Sequence, residues 1–224
     1  MFRASARQQD ADSPPRAAAR AALPAGGGVL DVGCGGGAAA LGLVPPAGEL
    51  TGVDSSAELL ALFAADAAAA GVTHHEVLGS WPEVATQVPP ADVVVCAHVV
   101  YNVGDIGPFL TALSDHARHR VVLELTARHP LSATAPLWRR FWDLERPDGP
   151  TADDLLAVLA ELGVIPEVAR GSRPGGRDRR DPAHVAMVRR QLCLPAGREA
   201  EVADALAALP DEPVEVVAAW WDPA

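Results

Sequence analysis

The chain has 224 residues, of which 18 are basic and 29 acidic, and a formal charge of −11 at pH 7. That length supports one large α/β domain with a full core, and the acidic balance argues against a general nucleic-acid surface, which needs clustered positive charge. Every basic residue is Arg and none is Lys, so catalysis through a Lys Schiff base is excluded.

With the heavy Ala content, this usage suggests a high-GC bacterial genome rather than a function. Cys34, Cys96 and Cys193 stand far apart with no CxxC pair. That argues against a disulfide framework and a structural zinc site, and no metal is expected. No apolar run approaches the roughly 18–20 residues that span a membrane. The first sixteen residues, MFRASARQQDADSPPR, lack an apolar signal-peptide core, so a cytoplasmic protein without a membrane partner is expected.

In chain order, PPRAAARAAL (14–23) predicts a short helix with proline in its first turn. GGGVLDV then breaks and enters a short apolar strand, as a buried parallel strand would. A helix is predicted over 36–43 and a strand over 49–54 (ELTGVD). SSAELLALFAADAAAAG (55–71) reads as a helix capped by Ser55 or Ser56 and ended by Gly71. THHEVL (73–78) reads as a strand, ADVVVCAHVV (91–100) as another, 105–117 as a helix and RHRVVLELT (118–126) as a strand. This alternation implies right-handed βαβ crossovers and a parallel sheet with helices on both faces. Further on, helices are predicted over 131–144, 150–163, 183–194 and 198–209, and strands over 164–170 and 214–221. A Gly/Pro loop spans 171–182, and five arginines fall between Arg170 and Arg180.

VLDVGCGGG (29–37) places a glycine turn between a strand and a helix. Gly33, Gly35 and Ala38 also satisfy the dinucleotide pattern G-x-G-x-x-A. A pyrophosphate on that helix N-terminus would be repelled by Asp31, two residues before the first glycine. A phosphate-free nucleoside with a cationic aminoacyl end would gain from the same acid. Asp54 ends the next strand, 21 positions after Gly33, a spacing that brings a carboxylate to ribose hydroxyls in either ligand class.

At these residues the chain resembles the class I S-adenosylmethionine-dependent methyltransferases. VLDVGCGGG is similar to their first motif, an acid followed by G-x-G-x-G. ELTGVDSS resembles their second strand with its ribose-binding acid, and ADVVVCAHVVYNV their fourth-strand motif, whose end lies beside the transferred methyl. The resemblance covers about residues 27–126, and the closing WWDP segment resembles the family's last strand. It implies a three-layer α-β-α sandwich on a seven-stranded, mostly parallel sheet with the last strand reversed, and extra helices in the C-terminal half. We expect a single domain over 1–224, with 26–126 as cofactor-binding core and with 127–163 and 171–210 as helical insertions able to form a substrate lid.

By resemblance, Asp31, Gly33, Gly35 and Gly37 hold the methionine part of S-adenosyl-L-methionine, and Cys34 and Ser55 are further cofactor-binding positions. Asp54 holds the ribose, Ser80 and Trp81 flank the adenine, and Cys96, Ala97 and His98 border the methyl. Where many members carry an adenine-binding acid after the third strand, this chain has Gly79–Ser80–Trp81, with Ser80 placed for the adenine edge and Trp81 either for stacking on its face or for packing within the protein. His98 and Tyr101 are the candidate catalytic residues, since a His there can accept a substrate proton. Glu124, Arg128 and His129 form a second tier. CAHVVYN does not match the family's Asp/Asn-Pro-Pro-aromatic motif, which disfavours methylation of nucleobase or glutamine nitrogen. Trp138, Phe141 and Trp142 share one helical face, as core or as cover for an apolar substrate.

The expected reaction is methyl transfer to a small-molecule acceptor. Three alternatives stand beside it: a non-catalytic binder of the same cofactor, an RNA methyltransferase using the arginine loop, and a nicotinamide-dependent oxidoreductase. The last would need a base such as the Tyr-x-x-x-Lys pair of short-chain dehydrogenases, which a chain without Lys cannot supply.

Overall fold

The structure, a computed structural model, describes residues 13–175 and 178–223. The polar N-terminus through residue 12 and Arg177 of the arginine loop lie outside the described residues. Seven strands form one sheet in the order β3-β2-β1-β4-β5-β7-β6. They are β1 Gly28–Val32, β2 Glu49–Asp54, β3 Thr73–Leu78, β4 Ala91–Ala97, β5 Ala117–Thr126, β6 Glu167–Arg173 and β7 Val214–Trp221. The first five pair in parallel. One strand is reversed, and helices flank the sheet. The reversed strand is β7: Ala127 N, just past the end of β5, donates to Glu215 O near the start of β7 at 2.9 Å. Arg120, near the start of β5, pairs with Asp222 just past the end of β7 at 2.7 Å.

The chain leaves β1 toward β2 on one side and returns on the other side with β4. The crevice at the C-terminal ends of β1 and β4 is therefore the topological switch point, where open α/β sheets bind ligands. In register, Asp31 lies beside Gly52 and Val95, and Ala97 beside Glu124. Since side chains alternate along a strand, Val29, Asp31, Val95, Ala97, Val122 and Glu124 share one face. The buried cluster on that face joins Val29, Leu50, Val93, Val95 and Val122 to α1 (Pro14–Ala22), α2 (Ala38–Leu41) and α3 (Ala57–Ala70), whose Phe63 is fully buried. Leu30, Val32, Val94, Cys96 and Leu123, all buried, point to the other face.

The chain divides into two compact units. The first holds residues through Leu125, Leu155–Arg170 and the segment from Val217 onward; the second holds Thr126–Asp154 and Gly171–Val216. The second unit has its own core. Leu137 of α5 (Ala135–Trp142), Val185 and Val188 of α7 (Pro182–Gln191) and Val202, Ala205 and Leu206 of α8 (Glu199–Ala207) are buried together.

Several boundaries move for local reasons. The strand expected at 164–170 runs from Glu167 to Arg173, because Pro166 lacks an N–H for the ladder. The 91–100 strand stops at Ala97, since His98 is left-handed at φ 60°. The 131–144 helix is a 3-10 turn, Pro130–Thr134, followed by α5, in which Pro136 occupies the first turn. The 36–43 helix shortens to four residues before Gly42 and the prolines at 45 and 46.

Candidate functional site

The glycine turn is built by backbone ties. Gly33 N and Cys34 N both donate to Val53 O, at 2.8 and 3.0 Å, and Gly37 N donates to Cys34 O at 2.7 Å. Two glycines are dictated by protein neighbours. A Cβ on Gly33 would meet Val99 Cγ2 at 2.3 Å, and one on Gly37 would meet Phe63 at 2.6 Å. Gly35 differs: at φ +52° a Cβ there would meet nothing within 4 Å. The open space beside it is a cradle that no protein atom fills.

Two carboxylates organise this turn. Asp31 is 1% exposed and accepts a hydrogen bond from Ala40 N at 3.1 Å. Burial pushes its carboxyl up to about 7, the Ala40 bond opposes this, and the nearby Asp54 charge adds to the rise. Asp54 accepts from Gly35 N through Oδ2 and from Ser56 N through Oδ1, both at 2.9 Å. One carboxylate thus joins the glycine turn to the start of α3. Ser56, rather than Ser55, caps that helix by accepting from Leu59 N at 3.3 Å. Ser55 stands exposed beside Asp54. Cys34 is buried, and burial together with Asp31 and Asp54 pushes its thiol up. It is inert by the usual criteria for thiol reactivity.

Past β4, three side chains converge. His98 Nε2 lies 3.3 Å from Glu124 Oε1, and His98 Nδ1 lies 3.2 Å from Tyr101 Oη. His98 N also donates to Glu124 O at 2.7 Å. A left-handed non-glycine residue costs on the order of 1 kcal/mol, and such outliers gather at functional sites. Val99, the next residue, packs on Gly33, so this cluster adjoins the glycine turn.

Trp81 takes the packing role of the two open to it, rather than that of an adenine stacker. Its ring is 8% exposed, its Nε1 donates to Phe109 O at 3.3 Å, and it meets His116 edge-on at 4.8 Å. The indole serves the packing of α4 (Ile106–Asp115) and offers little free face. Ser80 remains exposed. Leu78, in register with Asp54 and 58% exposed, is an apolar surface that sequence reasoning missed; its signal was the last residue of THHEVL. Cys96 is buried on the sheet face opposite Asp31, so only its backbone can border the crevice.

The remaining candidates belong to the second unit. Arg128 pairs with Asp148 at 2.7 Å. Burial first, and Arg146 second, hold the His129 pKa below its usual range. Trp138 and Phe141 pack on that unit's core. Arg146 stacks over Trp138, Arg140 and Arg198 over Phe141, and Trp142 Nε1 donates to Leu192 O at 2.8 Å. No group of His, Cys, Asp and Glu able to hold a metal ion occurs among the described residues. No described helix is long and apolar enough to cross a membrane.

The family model of a methyltransferase domain matches residues 29–120, the segment that carries both carboxylates, the glycine turn and His98. Over that segment the chain is similar to the methyltransferase-domain family, and its fold is the Rossmann-like one of solved methyltransferases. No curated protein matches the sequence. Among solved structures, the chain is similar to a protein of Bacillus halodurans C-125 provisionally assigned as a methyltransferase. The two are 16% identical over 96% of this chain and 99% of that one, with a TM-score of 0.66. It is also similar to magnesium protoporphyrin IX methyltransferase of Synechocystis PCC 6803, solved with bound SAH (16% identity, 96% and 83% covered, TM-score 0.60). A third is the YcgJ protein of Bacillus subtilis (17% identity, 92% and 95% covered, TM-score 0.59).

Proposed function

We propose that the protein transfers the methyl group of S-adenosyl-L-methionine to a small-molecule acceptor. The observation that carries this reading is Asp54, whose carboxylate ties Gly35 to α3 beside the open space at Gly35. The donor set suits the cofactor's chemistry. Two acids, one buried, favour a cationic aminoacyl end and disfavour a diphosphate. Asp31, Gly33, Cys34, Gly35 and Gly37 would hold the methionine part. Asp54 and Ser55 would take the ribose, Ser80 and Leu78 the adenine, and Ala97 and His98 would border the methyl. The cofactor supplies a methyl on a sulfonium, already activated for attack. The protein's task is then to align the acceptor and exclude water. The charge of −11 supports a small acceptor over RNA.

Calorimetry with S-adenosylmethionine and with NAD tests the reading; binding of NAD alone would sink it. Asp54→Asn should weaken S-adenosylmethionine binding about 10–100-fold, the range for a hydrogen bond to a charged group. Incubation with labelled S-adenosylmethionine and a cell extract separates an enzyme from a binder by whether label enters small molecules.

A further inference from the structure

We propose that Glu124, His98 and Tyr101 form a proton-accepting relay, and that the acceptor is accordingly a phenolic or enolic hydroxyl. The inference rests on the methyltransferase reading above and adds the acceptor's chemistry to it.

The geometry fixes the proton positions. An ionised carboxylate only accepts hydrogen bonds. Glu124 Oε1, 3.3 Å from Nε2, therefore selects the neutral tautomer with the proton on Nε2. The Nδ1 lone pair then faces Tyr101 Oη, 3.2 Å away, and the hydroxyl donates to it. Nδ1 is thus already a basic nitrogen with a phenolic O–H on it, which displays the hydroxyl class the position accommodates. The titratable groups described against His98 are Glu124 from β5 and Tyr101 from the turn after β4. Its side chain is 37% exposed, so a small acceptor can reach it.

The left-handed backbone of His98 sets this arrangement. A strand continued through residue 98 would keep alternating side chains across the sheet. Instead φ is 60°, and His98 N is held on Glu124 O at 2.7 Å. Val99 packs on Gly33, which keeps the imidazole next to the glycine turn.

A base is useful only to an acceptor that must lose a proton. A carboxylate is already ionised, and a thiol with a pKa near 8.5 ionises readily without help. A hydroxyl with a pKa of about 10, like that of Tyr, does not. Its O–H bond would break with the proton passing to Nδ1, directly or through Tyr101 Oη. The oxygen's electron pair forms the bond to the methyl as the sulfonium sulfur regains the C–S pair. The imidazolium, stabilised by Glu124, then releases its proton to water. His98 is the catalytic residue, and Glu124 is a positioning residue that acts through it.

The test begins with a readout independent of turnover. In imidazole 15N NMR at fixed pH, with the His98 signal assigned by its loss in His98→Gln, the proton should sit on Nε2, and Glu124→Ala should lose that tautomer preference while Glu124→Gln keeps it. The glutamine amide is isosteric with the carboxylate and its oxygen can still accept from Nε2, so the fold should be retained. Tyr101 is the only tyrosine, so the absorbance of its phenol at fixed pH should change in His98→Gln, where its contact with Nδ1 is lost. An unchanged His98 tautomer in Glu124→Ala overturns the relay, as does an unchanged Tyr101 absorbance in His98→Gln. Labelled S-adenosylmethionine is then offered with p-cresol, catechol, benzylamine, benzyl mercaptan and benzoate. Label is expected in the phenols, with at least a 100-fold loss in His98→Gln at pH 7 that narrows as pH approaches the phenol's own ionisation. Label in the amine, thiol or carboxylate but in neither phenol overturns the acceptor class while leaving the methyltransferase reading intact. Failure of the protein to bind S-adenosylmethionine in calorimetry would instead remove that reading itself.

Discussion

At the residue scale, Asp31 shows how one buried acid ties stability to pH. Its ordinary value of 3.8 is raised by burial to about 7 in the folded chain. Below about pH 4 the group is neutral whether folded or not, and it takes nothing from stability. As pH rises toward 7, the unfolded chain gives up the proton first, so the folded state loses ground. Above 7 the penalty is complete, on the order of a few kcal/mol at 1.36 kcal/mol per unit. Asp31→Asn should therefore raise the melting temperature at pH 8 and do little at pH 4, while weakening S-adenosylmethionine binding. Equal melting shifts at both pH values would contradict the assignment. The need for an acid at this position was legible in VLDVGCGGG, because its chemical demand is local. The direction of Trp81 was not. A tryptophan after Gly-Ser can turn outward to a ligand or inward to a helix, and here the carbonyl of Phe109 and the edge of His116 meet it on the inward side.

At the element scale, the glycine turn separates folding from binding. Gly37→Ala would drive a methyl into Phe63 at 2.6 Å from a left-handed backbone. We expect it to cost about 2–4 kcal/mol, from overpacking and strain together. Gly35→Ala meets no protein atom and should cost only about 1–2 kcal/mol of backbone strain. Its methyl would occupy the cradle, so its effect on cofactor affinity should exceed its effect on stability. Denaturant melts set beside calorimetry would show this inversion; a Gly35→Ala protein that binds S-adenosylmethionine normally would contradict it. The five alternating strands and helices were legible because apolar runs and glycine or proline breaks mark them. The end of β4 was not, since nothing in AHVVYN announces a left-handed histidine. Glu124, a lone acid near the end of an apolar strand, was visible only as a second-tier candidate; its partnership with His98 comes from the β4–β5 register.

For the whole molecule, the switch point between β1 and β4 follows from strand order, whereas the family resemblance implied only seven strands with the last reversed. Neither hydropathy nor spacing reveals that β7 enters between β5 and β6. Ligand that binds only the folded state stabilises it by mass action, about 2.7 kcal/mol at 100 times Kd. For a chain of this size that corresponds to roughly 5–10 °C. A thermal melt with S-adenosylmethionine should show this rise, and NAD at the same concentration should leave the curve in place; a larger rise with NAD would reverse the assignment of the crevice.

Asp54 holds Gly35 N and Ser56 N through the protein's own hydrogen bonds. A turn already assembled asks little ordering entropy of its visitor. Encounter should then be quick for every nucleoside of suitable size, with similar on-rates across analogues. Discrimination among them would lie in residence time: analogues that lack a ribose hydroxyl would enter as fast and leave sooner.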